Sequence, residues 1–147
     1  MAPKTNATVL AFDFGTHRIG VAVGNSLIRF AQPLVTIAGD SDTTTLAAIA
    51  ALVNEWQPQQ LVVGLPLHAD GTPHAMTAKA RDFARELGTR FGLPVALVDE
   101  RWTTEVAQDH LSRERGGRRG REHRDEIAAQ LILQAYFDDE QRNAGAS

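Results

Sequence analysis

An α/β fold is predicted, with a mixed five-stranded sheet and helices on both of its faces. Three observations carry this. The chain opens on three strand-like segments joined by short turns, which implies an antiparallel meander. Strands then alternate with amphipathic helices, which implies parallel crossovers. The first strand is apolar on both sides, as a central strand covered from above and below must be. A length of 147 residues suits one domain, and residues 1–147 are expected to form a single unit without internal repeats.

Thr8 to Phe14 is that central strand, with Val9 and Ala11 on one side and Leu10, Phe12 and Phe14 on the other. Asp13 closes it on the side of Val9 and Ala11. After the turn Gly15-Thr16-His17-Arg18, the run Ile19 to Gly24 is its hairpin partner. Ala31 to Ile37 is a third strand, which Pro33 assigns to an edge. A helix from about Thr43 to Trp56 carries Leu46, Ile49, Ala50 and Val53 at helical spacing, with Ser41 or Asp42 as its cap. Gln60 to Leu65 is a short buried strand whose exit leads into a loop containing Asp70-Gly71-Thr72-Pro73. Met76, Ala80, Phe83, Ala84, Leu87 and Phe91 form the stripe of the next helix, which ends near Gly92. Pro94 to Val98 is the fifth strand and runs into Asp99-Glu100. Thr103 or Thr104 caps a helix with Val106, Ala107 and Leu111, and an arginine- and glycine-rich loop follows. The last helix is expected from about Asp125 to Phe137, on the stripe Ala128, Leu131, Ile132, Ala135 and Tyr136. From about residue 140 onward the chain is expected to fray.

Composition narrows the classes. With 43% hydrophobic and 22% charged residues, disordered, collagen-like and coiled-coil chains are excluded. The absence of cysteine excludes a disulfide scaffold, a thiolate zinc site and a cysteine nucleophile. The longest apolar run, Leu46 to Val53, is too short to span a bilayer, and the N-terminus lacks an apolar signal segment. A soluble, cytoplasmic protein without a membrane partner is expected. The net charge of −3 hides a concentration of arginine: six of the thirteen arginines lie between Arg113 and Arg124. With Glu114 and Glu122 that stretch carries +4, against −7 for the rest of the chain. Such a local field can hold a polyanion whatever the bulk charge, although a plain solvated loop has the same composition.

Ligands of such sheets bind beyond the carboxyl ends of the central strands. Asp13 ends the first strand, Asp99 or Glu100 ends the fifth, and Asp125 shares a face of the last helix with Ala128, Ala129 and Ile132. Strand alternation sends Asp99 and Glu100 to opposite faces, so only one of them can join the others. Clustered, inward-facing carboxylates need a cation, and an all-oxygen donor set suits Mg2+ or Mn2+. The plainer roles are a turn for Asp13 and a helix cap for Asp125. Arg18 is placed to touch a phosphate, and the amides of Gly15-Thr16 could do the same. Arg118, Arg119 and Arg121 are placed to hold a nucleic-acid backbone without reading its sequence. Trp102 is expected to pack at the sheet edge, and His68 and His74 to lie on the surface.

Four motifs in order over the chain carry a resemblance: Ala11 to Val23 (AFDFGTHRIGVAV); Val62 to Leu67 (VVGLPL) with Asp70-Gly71-Thr72; Asp99 to Thr104 (DERWTT); and Asp125 followed by Ala128-Ala129 and Leu133-Gln134. Together they are similar to the YqgF (RuvX) family. The resemblance implies a ribonuclease H-like fold and a metal-dependent nuclease. That nuclease is related to Holliday-junction resolvases and assigned to maturation of the 5′ end of pre-16S ribosomal RNA. It puts the catalytic, metal-binding carboxylates on Asp13, Glu100 and Asp125. By analogy with the fold, Asp13 would bridge two ions while Glu100 and Asp125 each hold one. The chain departs from the usual pattern at His17, where many members have Lys, and at Gly24-Asn25, where many have Ser-Asp. It also departs at Arg124, where an apolar residue is common. With Glu126 adjacent, the third ligand stays open between Asp125 and Glu126. The other classes weighed are half of an actin-like ATPase site and a non-catalytic RNA-binding or ribosome-assembly factor. Pre-rRNA, in ribosomal precursor particles, is favoured over branched DNA. No apolar stripe is spare for a dimer interface, which favours a monomer.

Overall fold

A computed structural model describes residues 7–39, 41–102 and 118–146, with the backbone alone for 102, 118–123 and 140–146. Strands β1 (Thr8–Phe14), β2 (Arg18–Asn25) and β3 (Phe30–Ala38) form the antiparallel meander. Helix α1 (Asp42–Trp56) leads to β4 (Gln60–Leu65), and α2 (Thr77–Phe91) leads to β5 (Val95–Asp99). Helix α3 (Arg118–Ala146) comes last. The sheet order is β3-β2-β1-β4-β5, with β4 parallel to both β1 and β5. This is the mixed sheet that the strand pattern implied.

β1 takes the centre because each of its faces has a layer to bury it. Leu10 and Phe12 join Ile49 of α1 and Ala84 and Leu87 of α2 in one core. Val9 and Ala11 join Ala129, Ile132, Leu133 and Phe137 of α3 in the other. Pro33 sits where the β2–β3 register slips: Val21 faces Val35 and Ala22 faces Pro33, so Leu34 is extra. A proline is tolerated there because a bulged edge strand has no ladder bond for it to break. Two glutamines of α3 serve this edge. Gln134 Oε1 accepts from the Ala31 amide (3.2 Å), and the side-chain amides of Gln130 and Gln134 donate to the carbonyls of Ala31 and Arg29 (3.0 Å each).

Ser41 caps α1 through a hydrogen bond from the Thr44 amide to its Oγ (3.2 Å). Helix α2 lacks a capping side chain. Instead Thr77 Oγ1 donates to the Pro66 carbonyl and accepts from the His74 amide, tying the helix start to the loop after β4. Helix α3 differs most from expectation. It begins at Arg118, so Arg118, Arg119 and Arg121 belong to its first turns and not to a loop. Gly120 falls in its first turn. The helical backbone also passes Phe137 and the expected fray, reaching Ala146. The helix expected after Thr103 or Thr104, with Val106, Ala107 and Leu111, lies outside the described residues. Among the described residues no helix is long and apolar enough to cross a membrane.

Gly88 lies inside α2, where a Cβ would meet Val95 Cγ2 at 3.5 Å, an ordinary contact. Gly88→Ala should therefore stabilise the protein by about 0.5–1 kcal/mol through helix propensity. Urea unfolding measures it; a lower midpoint would mean that α2 and β5 are packed too tightly for one methyl group.

Candidate active site

The site starts with Asp13, one residue from the end of β1 and on the α3 side of the sheet. It pairs with Gly20 on β2, and the parallel register Phe12↔Val63 sets Gly64 beside it on β4. The residues flanking Asp13 on both neighbouring strands therefore have no side chain. At Gly20 a Cβ would overlap the Asp125 carbonyl of α3; at Gly64 it would overlap Ile132 Cδ1 and stand 3.0 Å from Glu100 Oε1. These two openings admit the helix on one side and a second carboxylate on the other. Both glycines were missed as site residues, although glycine inside a strand signals close approach by another group.

Strand β5 ends at Asp99, and the chain turns at once into a 3-10 turn, Glu100–Trp102. Asp99 is captured by Arg101. Its Oδ2 accepts from Nε (2.9 Å) and Nη2 (2.6 Å), and its Oδ1 accepts from the Arg101 amide (2.9 Å). Those bonds hold the Asp99 carboxyl below its ordinary range. Arg101 Nη1 also reaches the Ala69 carbonyl (3.5 Å). Glu100 instead turns to Asp13 and shares a hydrogen bond with it. The choice that strand alternation left open thus closes on Glu100 as the neighbour of Asp13.

Asp125 projects from α3 close enough for its charge to act on Asp13. Glu126 points elsewhere and accepts from Thr36 Oγ1 on β3 (3.3 Å). Arg18 opens β2 on the same face as Gly20, and its Nε donates to Asp125 Oδ2 at 2.6 Å. The Arg18 side chain is 42% exposed and that of Asp125 22%.

The electrostatics follow from this crowding. Burial pushes the Asp13 carboxyl well above its ordinary range; the charge and hydrogen bond of Glu100 raise it further, and then the charge of Asp125. Burial also raises Glu100, with the charge of Asp99 adding to it, while the bond with Asp13 and the charge of His74 act the other way. The Asp13–Glu100 pair therefore keeps a proton into the range where isolated carboxylates are ionised. His74 and His68 are exposed, as expected, with rings 5.0 Å apart; His74 Nδ1 accepts from the Met76 amide (3.0 Å). The influence of His74 on Glu100 had no signal in sequence spacing. Gly15 and Thr16 form the turn after β1. The side chains of Trp102, Arg118, Arg119 and Arg121 lie outside what is described.

As they are placed, no three His, Asp or Glu side chains among the described residues are grouped to hold a metal ion. Burial and mutual repulsion favour the protonated form of Asp13 and Glu100, and a guanidinium compensates Asp125. The donor set nevertheless has the chemistry of a hard-cation site: three carboxylates, oxygen atoms only, with a protein cation already standing at one of them.

Residues 7–139 match the model of the RuvX family, described as Holliday junction resolvase. The chain belongs to the RuvX family. A protein of Nitrosospira multiformis named "Putative pre-16S rRNA nuclease" is 52% identical over 138 residues, covering 93% of this chain and 90% of that relative. A protein of the same name from Dechloromonas aromatica is 52% identical over 132 residues, covering 89% and 90%. Among solved structures, Thermus thermophilus RuvC in complex with a Holliday junction substrate aligns with a TM-score of 0.54 at 13% identity, covering 92% of this chain and 96% of that one. A second structure of Thermus thermophilus RuvC aligns at 0.53 and 12% identity, covering 91% and 96%. At such identity the likeness is one of fold, and it gives this RuvX chain the ribonuclease H-like fold.

Gly20→Ala should cost about 3 kcal/mol, because a helix backbone must move, whereas Gly64→Ala should cost about 1–2 kcal/mol, because a side-chain end can yield. Chemical denaturation ranks them, and equal costs would deny the backbone contact its role. The carboxylates add a pH dependence. Asp13 and Glu100 are raised in the fold, so their stabilising proton is fully held below the ordinary carboxylate range and is lost as pH climbs through the raised values. Metal-free wild type should lose stability over that window relative to Asp13→Asn, which should be equal or up to about 1 kcal/mol more stable at neutral pH. Melting in chelator at stepped pH measures it. A variant that melts well below wild type at neutral pH would make Asp13 a structural turn residue.

Proposed function

We propose that this chain is a metal-dependent endonuclease that hydrolyses phosphodiester bonds in 5′-end maturation of pre-16S rRNA. The observation that supports this best is the convergence of Asp13, Glu100 and Asp125 on one face of the sheet, beyond the ends of its central strands, in a RuvX chain. These three carboxylates would hold Mg2+ or Mn2+. When bound, such ions activate water for in-line attack and stabilise the departing 3′ oxygen. The chain's own part is to position and to neutralise. Asp13 is held in place by both neighbouring strands, Glu100 is delivered by the 3-10 turn, and Asp125 is delivered by α3. Arg18, half exposed beside them, is aimed to bind a phosphate.

Arg118, Arg119 and Arg121 precede Asp125 on α3, and in this proposal they bind the nucleic-acid backbone. The substrate class is nucleic acid, as the relatives' names indicate. Within it, precursor rRNA in the cytoplasm, free or in ribosomal particles, is preferred over branched DNA, with the protein acting as a monomer. The competing reading is junction resolution, favoured by the family description and by the RuvC fold.

The test compares purified protein on a 5′-extended 16S precursor and on a four-way DNA junction, with Mg2+, Mn2+ or chelator. Cleavage of the RNA is expected, leaving 5′-phosphate and 3′-hydroxyl ends. Asp13→Asn, Glu100→Gln and Asp125→Asn should each slow it at least about 100-fold, a loss of about 2.7 kcal/mol of transition-state stabilisation. Cutting of the junction alone would replace rRNA maturation by resolution, and binding without any cleavage would make the protein an assembly factor. Replacing Arg118, Arg119 and Arg121 by Ala should weaken binding and flatten its salt dependence, by roughly one unit of slope for each phosphate no longer neutralised. Unchanged affinity and slope would remove these arginines from the interface.

A further inference from the structure

We infer that Arg18 is an exchangeable counterion: it occupies Asp125 when no metal is present, yields that carboxylate to the incoming divalent cation, and is thereby released to the substrate phosphate. The inference rests on the proposed reading of Asp13, Glu100 and Asp125 as metal ligands. It makes metal and nucleic acid bind cooperatively.

The geometry supplies each step. Arg18 Nε and Asp125 Oδ2 are 2.6 Å apart, a charge-assisted hydrogen bond that occupies one oxygen of that carboxylate. Strand alternation puts the Arg18 side chain on the face of Gly20, and Gly20 is the pairing partner of Asp13. The guanidinium therefore stands at the edge of the carboxylate cluster, not on a remote surface. Asp13 and Glu100 face each other while Asp125 is turned to Arg18.

The pair is built to open. Arg18 is nearly half exposed, and ion pairs with that access to water are weak, so a divalent ion bound jointly by Asp13 and Glu100 can compete for Asp125. A charged guanidinium left beside the cluster then needs another anion. It opens β2 beside the end of β1, and in this proposal it takes a phosphate of the strand being cut, which its planar fork suits. By linkage, if metal frees the phosphate-binding group, nucleic acid must strengthen metal binding by the same factor. Arg101 offers a contrast on the same sheet edge. It holds Asp99 through both Nε and Nη2, with its own backbone amide adding a third bond, and that carboxylate is no neighbour of Asp13. Asp99 is thereby locked, whereas Arg18 grips Asp125 through Nε.

The test is Mn2+ binding followed by paramagnetic resonance on metal-free wild type, Arg18→Gln, Arg18→Lys and Asp13→Asn, each with and without a single-stranded RNA oligonucleotide. Without RNA, Arg18→Gln should bind Mn2+ about three- to tenfold more tightly than wild type, because the competitor is gone. RNA should tighten Mn2+ binding in wild type and have little effect on it in Arg18→Gln. A merely structural pair gives the opposite sign, with weaker Mn2+ binding and a lower melting temperature together. Mn2+ binding by Arg18→Gln that is equal to or weaker than wild type overturns the inference and leaves the nuclease reading intact. Should Arg18→Gln fail to fold, Arg18→Lys decides: it keeps the charge without the fork, so metal–RNA coupling should persist but shrink, and undiminished coupling overturns the inference. Wild type that binds no more Mn2+ than Asp13→Asn overturns both readings at once.

Discussion

Everything at the candidate site depends on two missing side chains. Asp13 stands between Gly20 and Gly64, and only because neither has a Cβ can α3 bring the backbone of Asp125 against β2 and the 3-10 turn bring Glu100 over β4. Interiors are packed densely enough that one methyl group in either place must displace something. The fold cannot absorb that displacement evenly. On the β2 side the obstacle is helix backbone, and moving it moves the whole layer that seals Val9 and Ala11.

That closeness concentrates negative charge, which the chain offsets in three different ways. Asp13 and Glu100 are both pushed toward the protonated form, because burial makes two charges in one place costly. Asp125 takes the Arg18 guanidinium. Asp99, next in sequence to Glu100, is held by Arg101, although its charge still pushes Glu100 upward. In each case the compensating group comes from a different source, and only the Arg101 pairing is local in sequence.

The two faces of the sheet divide the work. The α1 and α2 face carries an apolar core of Leu10, Phe12, Ile49, Leu61, Val63 and Leu87. The α3 face carries a smaller core of Ala11, Ala22, Ala129, Ile132 and Phe137, and gives way at the strand ends to the carboxylates. Small residues there let α3 lie close to the sheet, and its glutamines reach past β2 to the backbone of β3. One helix thus supplies a core, an edge cover and the position of Asp125.

The strands, α1 and α2 were legible in the sequence to within a residue or two, because apolar periodicity and local caps such as Ser41 act over a few neighbours. Asp13 and the face it occupies were legible for the same reason, since alternation in β1 leaves no choice. The starting point of α3 was not: arginine and glycine look like loop, and the helix takes them in only because its later turns are anchored on the sheet. Periodicity could not decide between Asp99 and Glu100, because the strand stops between them and the 3-10 turn resets the direction of the next side chain. That choice came from motif resemblance and, independently, from the capture of Asp99 by Arg101. Asp125 and Glu126 were separated only by what each meets across the sheet, Arg18 in one case and Thr36 in the other. The sequence by itself determined the elements, their faces and the types of residue at the strand ends, since these depend on short-range geometry. Motif resemblance aside, tertiary structure decided which carboxylates meet, and it alone showed what neutralises them and why two glycines matter, since these depend on contacts between residues up to 107 positions apart.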